Sequence, residues 1–274
     1  MTKDLSNLFD LAGKVAIVTG GTGIQGKRIT RGLAAHGAHV AVVDLDADTS
    51  KTQAGEIAEE YSVQTLGIAC NVAEKSDVEK MVAAVVAAFG KIDILHNNAA
   101  SKSDDPRDFF VPFEDFDFDV WRQVMSVNID GVFLVAQAVG KQMIKQGYGG
   151  SIIQTSSTYG LVGPDFGIYE GSEYMGCCIT TPAAYAASKG AVVQLTRYLA
   201  TYWGDQGIRV NTLVPGGIKS GQNETFQKNY GARVPLGRMA DVDEMVGAVV
   251  YLASDASSYM TGQMVVVDGG WTAW

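Results

Sequence analysis

The stretch KVAIVTGGTGIQGKRI, residues 14–29, constrains the fold more than any other part of the chain. It sets a β-branched apolar run, a glycine turn and a helical pattern in immediate succession. Gly21, Gly23 and Gly26 match G-x-G-x-x-G in the strand–turn–helix context that the pattern requires. Such glycines allow a tight turn, bring backbone N–H groups close to a pyrophosphate, and let the helix pack on the strand. The positive end of that helix then faces the anion. A glycine triplet alone is a weak signal, because turns use glycine anyway. Here a second apolar run ends in Asp44, 18 residues after Gly26, where a ribose-binding carboxylate is expected. The plainer reading, in which Asp44 opens a turn with Asp46 and Asp48, stays open at this point.

The alternation continues along the chain. Strand patterns cover 14–19, 39–43, 65–70, 92–97, 151–155, 208–214 and 264–267. Helical patterns lie near 26–36, 50–61, 75–89, 118–146, 183–203 and 241–254. This order predicts an α/β fold: a Rossmann-like, doubly wound parallel sheet with helices on both faces. Near-continuous apolar runs such as VAIVT suit strands buried on both sides. No linker or repeat divides the chain, so one domain is expected over 1–274. Ser101–Phe116 and Gly160–Thr181 are long for loops, and loops of that length usually carry function or disorder.

Charge and cysteine usage exclude several classes. With 30 acidic and 21 basic residues, the net charge of −9 argues against nucleic acid or an anionic membrane surface as partner. No apolar run is read as reaching the length of a bilayer span, and MTKDLSNLFD is too polar for a signal peptide. Cys70, Cys177 and Cys178 form no disulfide framework or zinc pattern, so free thiols, no metal and a cytoplasmic setting are expected. His36, His39 and His96 show no ligand spacing and read as structural.

The chemistry sits in TPAAYAASKG. Thr181 reads as an N-cap and Pro182 as the first helical residue. Tyr185 and Lys189, four apart, then share one helix face, and a cation beside the phenol would lower its pKa toward that of a working base. Chance supplies many such pairs. This one gains weight from the nucleotide-binding pattern at the other end of the chain.

Taken together, VTGGTGIQG, HNNAA, SVNIDG, SIIQTSS, YAASK, NTLVPGGIKS and ASSYMTGQMVVVDGG resemble the short-chain dehydrogenase/reductase family from about Gly13 onward. The resemblance implies an NAD(P)-dependent alcohol/carbonyl oxidoreductase, commonly tetrameric; a homo-oligomer, tetramer or dimer, is therefore expected. It places catalytic roles on Asn128, Ser157, Tyr185 and Lys189. It assigns cofactor contacts to Gly20, Thr22, Gly23, Ile24 and Gly26 in the turn, and to Asp44, Asn71, Val72 and Asn98. Further contacts fall on Tyr185, Lys189, Pro215, Gly216, Ile218 and Ser220. The chain departs from the family pattern in three places. Ile24 occupies the middle glycine position of the compact members' T-G-x-x-x-G-x-G, as in the larger extended members. Asn71 replaces an aspartate. Ser157 and Tyr185 are 28 residues apart, about twice the family's interval, so an insertion near 160–181 should lie beside the substrate.

The implied reaction is hydride exchange between a secondary alcohol and NAD, with Tyr185 as base and Ser157 hydrogen-bonded to the developing alkoxide. The resemblance gives Lys189 the nicotinamide ribose and Asn128 a relay water. Asp165, Tyr169, Glu170, Glu173 and Tyr174 in the insertion suit a polyhydroxylated small molecule, or they merely solvate a loop. Lys219, Lys228 and Arg233 could meet an anionic group or be ordinary surface charges. Trp271 and Trp274 could pack at a subunit interface. A ketoacyl-thioester reductase and a non-catalytic nucleotide sensor remain the alternatives.

Overall fold

Each strand pattern forms a strand in the computed structural model, which describes residues 5–103 and 105–274. Met1–Asp4, counted within the expected domain, and Asp104, within the first long loop, lie outside the described residues. In chain order the strands are β1 (Val15–Thr19), β2 (His39–Asp44), β3 (Thr65–Ala69), β4 (Ile94–Asn97) and β5 (Gly150–Thr155). There follow a short pair, β6 (Glu173–Tyr174) and β7 (Cys177–Cys178), then β8 (Ile208–Pro215) and β9 (Met264–Val267). Seven of them make one parallel sheet, ordered β3-β2-β1-β4-β5-β8-β9. The order reverses between β1 and β4, so the crevice beyond their carboxyl ends is where this architecture takes ligands.

The helices are α1 (Ile24–Ala35), α2 (Ala47–Tyr61), α3 (Lys75–Phe89), α4 (Pro106–Phe109), α5 (Phe118–Met125), α6 (Val132–Gln146), α7 (Ala183–Trp203), α8 (Glu224–Ala232) and α9 (Val246–Ala253). Strand alternation sorts them into two layers. Val15 and Ile17 of β1 face one core with Met81 of α3, Val139 of α6 and Leu199 of α7. Ala16 and Val18 face the other, with Leu33 of α1, Ile57 of α2 and Leu252 of α9. A strand that buries both faces has to read as an unbroken apolar run.

Several local expectations need correction. Helix α2 begins three residues earlier than its apolar pattern, because Asp46 caps it by accepting from the Thr49 N–H. Helix α8 was missed, although Asn223 caps it and Phe226 and Tyr230 lie buried four apart. Pro182, not Thr181, is the N-cap of α7, and the Thr181 hydroxyl bonds Tyr169 instead. The helical stretch Phe118–Gln146 is, by length and composition, long and apolar enough to cross a membrane, contrary to the sequence reading. In the domain its α6 face is core: Val135, Val139 and Met143 are fully buried.

Candidate active site

Two glycines show why the turn after β1 has its sequence. Gly20 adopts φ +64°, and a Cβ on Gly26 would lie 2.0 Å from the Gly20 carbonyl oxygen. The backbone therefore folds tightly onto itself at the start of α1, whose N-cap, Gly23, makes no side-chain cap. Uncapped N–H groups at that end of the helix are the ones an anion would take. Thr22 hangs from Asp44, whose Oδ2 accepts from both its N–H (2.9 Å) and its hydroxyl (2.6 Å). Asp44 thus ends β2 with its carboxylate held against the glycine turn, and also accepts from the Leu45 N–H (2.9 Å). Ile24, in the family's middle glycine position, is over half exposed. Asn98 braces the turn by donating to the carbonyls of Thr19 and Gly20. Beyond β3, Asn71 accepts from the Ala73 N–H (3.1 Å), and Val72 is buried against Gly131.

At the carboxyl end of β5 the two serines divide their work. Ser156 is buried and donates to the Lys189 carbonyl (2.7 Å), joining β5 to α7. Ser157 accepts from the Tyr159 N–H (3.2 Å), and its hydroxyl favours the ionised form of the neighbouring Tyr185 phenol. Lys189 is buried and donates to the Thr155 carbonyl (3.1 Å), with its ammonium 5.8 Å from the centre of the Tyr185 ring. Helix α7 presents both side chains to the cleft because they lie four residues apart.

The electrostatics differ from expectation. Burial pushes the Tyr185 phenol up, opposed by the Ser157 hydroxyl, and Lys189 does not govern the balance. Burial pushes the Lys189 ammonium itself down to about 8. The burial of the phenol outweighs the ammonium, which stands 5.8 Å from the ring centre and donates to a backbone carbonyl.

Asn128 lies in a π-helical segment, Ser126–Gly131, between α5 and α6, the kind of irregularity often found at functional sites. Fully buried, it accepts from the Ser101 N–H (2.7 Å) and donates to the Ser101 carbonyl (3.2 Å) and Ser188 hydroxyl (3.5 Å). Its amide braces the loop after β4.

Ser157, Tyr185 and Lys189 line a cleft of about 280 Å³ between β4, β5, α7 and the segment after β8, whereas Asn128 lies behind it, buried. Asn98, Ser157, Tyr185, Lys189, Pro215, Gly216 and Ile218 meet in it. The dinucleotide half of the crevice, with Gly20–Gly26 and Asp44, continues from the carboxyl end of β1. The tight turn, the uncapped α1 and Asp44 suit a dinucleotide there.

Comparison with known proteins bears on the same residues. A family model described as enoyl-(acyl carrier protein) reductase matches residues 21–272. The chain belongs to the short-chain dehydrogenase/reductase family. It is 36% identical over 272 residues to D-threitol dehydrogenase of Mycolicibacterium smegmatis, covering 96% of this chain and 95% of that one. A short-chain type dehydrogenase/reductase from Mycobacterium marinum superposes with a TM-score of 0.86 at 34% identity, over 99% of this chain and 100% of the other. A gluconate 5-dehydrogenase from Burkholderia cenocepacia J2315, solved with NADP and tartrate, gives 0.86 at 34% identity over 98% of each chain. As a short-chain dehydrogenase/reductase, the protein is an NAD(P)-dependent oxidoreductase acting on CH–OH groups.

Other expected residues of this dehydrogenase fall outside the cleft. Ser220 is exposed, its hydroxyl held by Gln222 (2.8 Å). Lys219 pairs with Asp241, and Arg233 with Asp165 (2.7 Å), while Lys228 is exposed on α8. Glu170, Glu173 and Tyr174 are exposed, so of the insertion's expected residues Tyr169 reaches the cleft. The insertion is also better anchored than its glycines suggested. Ile168 is buried with Phe226, Tyr230 and Trp271, and β6 and β7 close through Met175 and Gly176, both at positive φ as a type I′ turn requires. Trp271 stacks on Tyr230 (4.8 Å between ring centres) and so packs within the subunit.

Sequence reasoning overlooked Tyr159, Phe226 and Tyr230, which line the cleft. For α8 a signal existed in Asn223 and the i, i+4 aromatic pair. The Tyr230 hydroxyl accepts from the Gly217 N–H and so pins the cofactor segment after β8. Tyr230→Phe removes the acceptor from a partly buried N–H. We expect its dissociation constant for NADH to rise several-fold, about 1 kcal/mol. Fluorescence titration of NADH checks this; unaltered affinity would show that the pin does not hold the cofactor segment.

Proposed function

We propose that this dehydrogenase interconverts a secondary alcohol and a ketone on a sugar, polyol or related polyhydroxylated molecule, with NAD as its cofactor. The observation that carries this reading is the Ser157–Tyr185 hydroxyl pair, backed by Lys189, in a cleft walled by tyrosines. When bound, the nicotinamide ring accepts or returns the hydride. Gly20, Thr22, Gly23, Ile24 and Gly26 would hold its pyrophosphate, Asp44 its adenosine ribose, and Asn71 and Val72 the adenine. Asn98, Lys189, Pro215, Gly216 and Ile218 would flank the nicotinamide side. In the oxidation direction Tyr185, as its phenolate, takes the hydroxyl proton and becomes the phenol, and Ser157 donates to the oxygen as its charge develops, a task worth a few kcal/mol. Asn128 and Lys189 hold the loop after β4 and the end of β5, so that both hydroxyls meet one reacting oxygen.

The polyol reading draws support from relatives named for threitol and gluconate. It draws further support from the hydroxyls that Tyr159 and Tyr169 place on the cleft wall. A ketoacyl-thioester reductase would want an apolar groove for its acyl chain. A non-catalytic sensor would have no need for Tyr185 and Lys189 in register. A panel of tetritols, pentitols, hexitols and sugar acids, assayed for NADH formation and against a β-ketoacyl thioester in reverse, tests the reading. Turnover of the thioester with none of the polyols would discard it.

For the cofactor, Asp44 supports NAD: its fixed carboxylate would accept from the 2′-hydroxyl and repel a 2′-phosphate. Neither Lys nor Arg occurs between Gly20 and Gly26, and Leu45 and Asp46 follow Asp44. We expect NADH to bind at least about tenfold more tightly than NADPH, a ratio that Asp44→Ala narrows. Competitive titration of the two cofactors decides it, and tighter NADPH binding refutes it.

We also propose a homo-oligomer, supported by the exposed Phe133 on α6 and the stacked, exposed Tyr198 and Tyr202 on α7. Light scattering after size exclusion tests this.

A further inference from the structure

Ser157 and Tyr185 can grip one hydroxyl of a substrate, but they cannot distinguish a polyol from a simple alcohol. The wall opposite them offers what that distinction needs. Two residues past Ser157, Tyr159 lines the same cleft, and its hydroxyl lies 3.3 Å from that of Tyr169. The Tyr169 hydroxyl in turn bonds the Thr181 hydroxyl. Three hydroxyls in a row carry three protons and make two mutual bonds. With donation running from Thr181 through Tyr169, the spare proton belongs to Tyr159, at the end that faces the cleft. With the opposite direction, Tyr159 offers lone pairs there instead. Either polarity is available without moving a heavy atom.

The row is also braced from behind. Tyr169 packs on Phe226 (5.5 Å between ring centres), and Tyr159 sets its edge to Trp271 (6.3 Å), which stacks on Tyr230. Rotating Tyr159 away from the cleft would disturb this cluster, so its hydroxyl is held at a defined place beside the reacting groups.

We propose that Tyr159 is a specificity-determining residue that hydrogen-bonds a second hydroxyl of the substrate, with Tyr169 and Thr181 as the positioning residues that set its proton. This rests on the polyol reading above. A ligand without that second hydroxyl would leave the Tyr159 hydroxyl desolvated and short of a partner, which is how a polar site rejects a less polar analogue.

The test uses the full-length enzyme with Tyr159→Phe and, separately, Tyr169→Phe. Specificity constants for NADH formation are measured on the best tetritol, pentitol or hexitol and on 2-butanol, and the readout is the ratio of the two. Tyr159→Phe should lower the polyol-to-butanol ratio about tenfold, through the KM of the polyol rather than kcat. Tyr169→Phe should lower it in the same direction by less, because it acts through Tyr159. An unchanged ratio, or an equal loss on both alcohols as a merely structural residue would give, overturns the assignment. If the wild-type enzyme uses polyols and only the ratio fails to move, the polyol reading stands and Tyr159 is exonerated. If it oxidises no polyol at all, both fall.

Discussion

Tyr185→Phe is expected to lose at least about two orders of magnitude in turnover while binding NADH nearly as before. The phenyl ring keeps the packing of α7 against the cleft, but the oxygen that takes the substrate proton is gone. The residual rate then depends on solvent reaching a pocket where the phenol was buried. Because burial holds the phenol above its ordinary value, the wild-type rate of oxidation should also rise with pH through the alkaline range. A pH–rate profile and a single-turnover measurement on a substrate found in the panel check both points. Near-normal turnover of the variant would remove Tyr185 from its assigned role.

Below pH 6.5, the fold should weaken through one residue, His96. It is fully buried on β4, bonded through Nε2 to the Thr155 hydroxyl (2.9 Å), and its Nδ1 has no protein partner among the described residues. Burial pushes its pKa down from 6.5 to about 3. The folded chain therefore keeps the ring neutral where the unfolded chain protonates it. The unfolded state binds the extra proton, so stability rises with pH across the window from about 3 to 6.5 and is complete above it. At pH 5 the deficit amounts to about 2 kcal/mol, roughly a thirtyfold shift in the folding equilibrium. Urea midpoints at pH 7.5 and 5 should differ more in the wild type than in His96→Leu, which cannot titrate there. Equal pH slopes would count against it.

His96 also illustrates where reading the sequence stops. A lone histidine without ligand spacing looks structural, and it is; its consequence for acid stability depends on burial in the centre of a sheet, which no local pattern reports. The parallel sheet, its two helical layers and the positions of Asp44, Ser157, Tyr185 and Lys189 were legible. Each depends on periodicity or on spacing within a single element. The wall of the cleft was not. Tyr159, Tyr169 and Thr181 converge across an insertion with no repeating pattern, and Trp271 closes behind them from the far end of the chain. The mutual influence of Tyr185 and Lys189 was misjudged for a related reason. Helical spacing gives proximity, whereas the balance of burial against charge depends on the surrounding elements.

The contact between β5 and α7 has a consequence for how such an enzyme can diversify. Ser156 donates to the Lys189 carbonyl, Lys189 donates to the Thr155 carbonyl, and a Cβ on Gly160 would lie 2.6 Å from the Lys189 carbonyl oxygen. The reacting pair is therefore kept in register by a weld on either side of the chain that joins them, not by that chain itself. The segment from Leu161 to Thr180 is anchored instead on α8 and Trp271, through Ile168, and so forms a cassette separate from that register. Lengthening it away from its Ile168 and Tyr169 anchors adds a slowly growing closure entropy, about 0.6 kcal/mol for a doubling. A lineage can then trade one cassette for another and meet a new substrate with its proton-transfer machinery untouched.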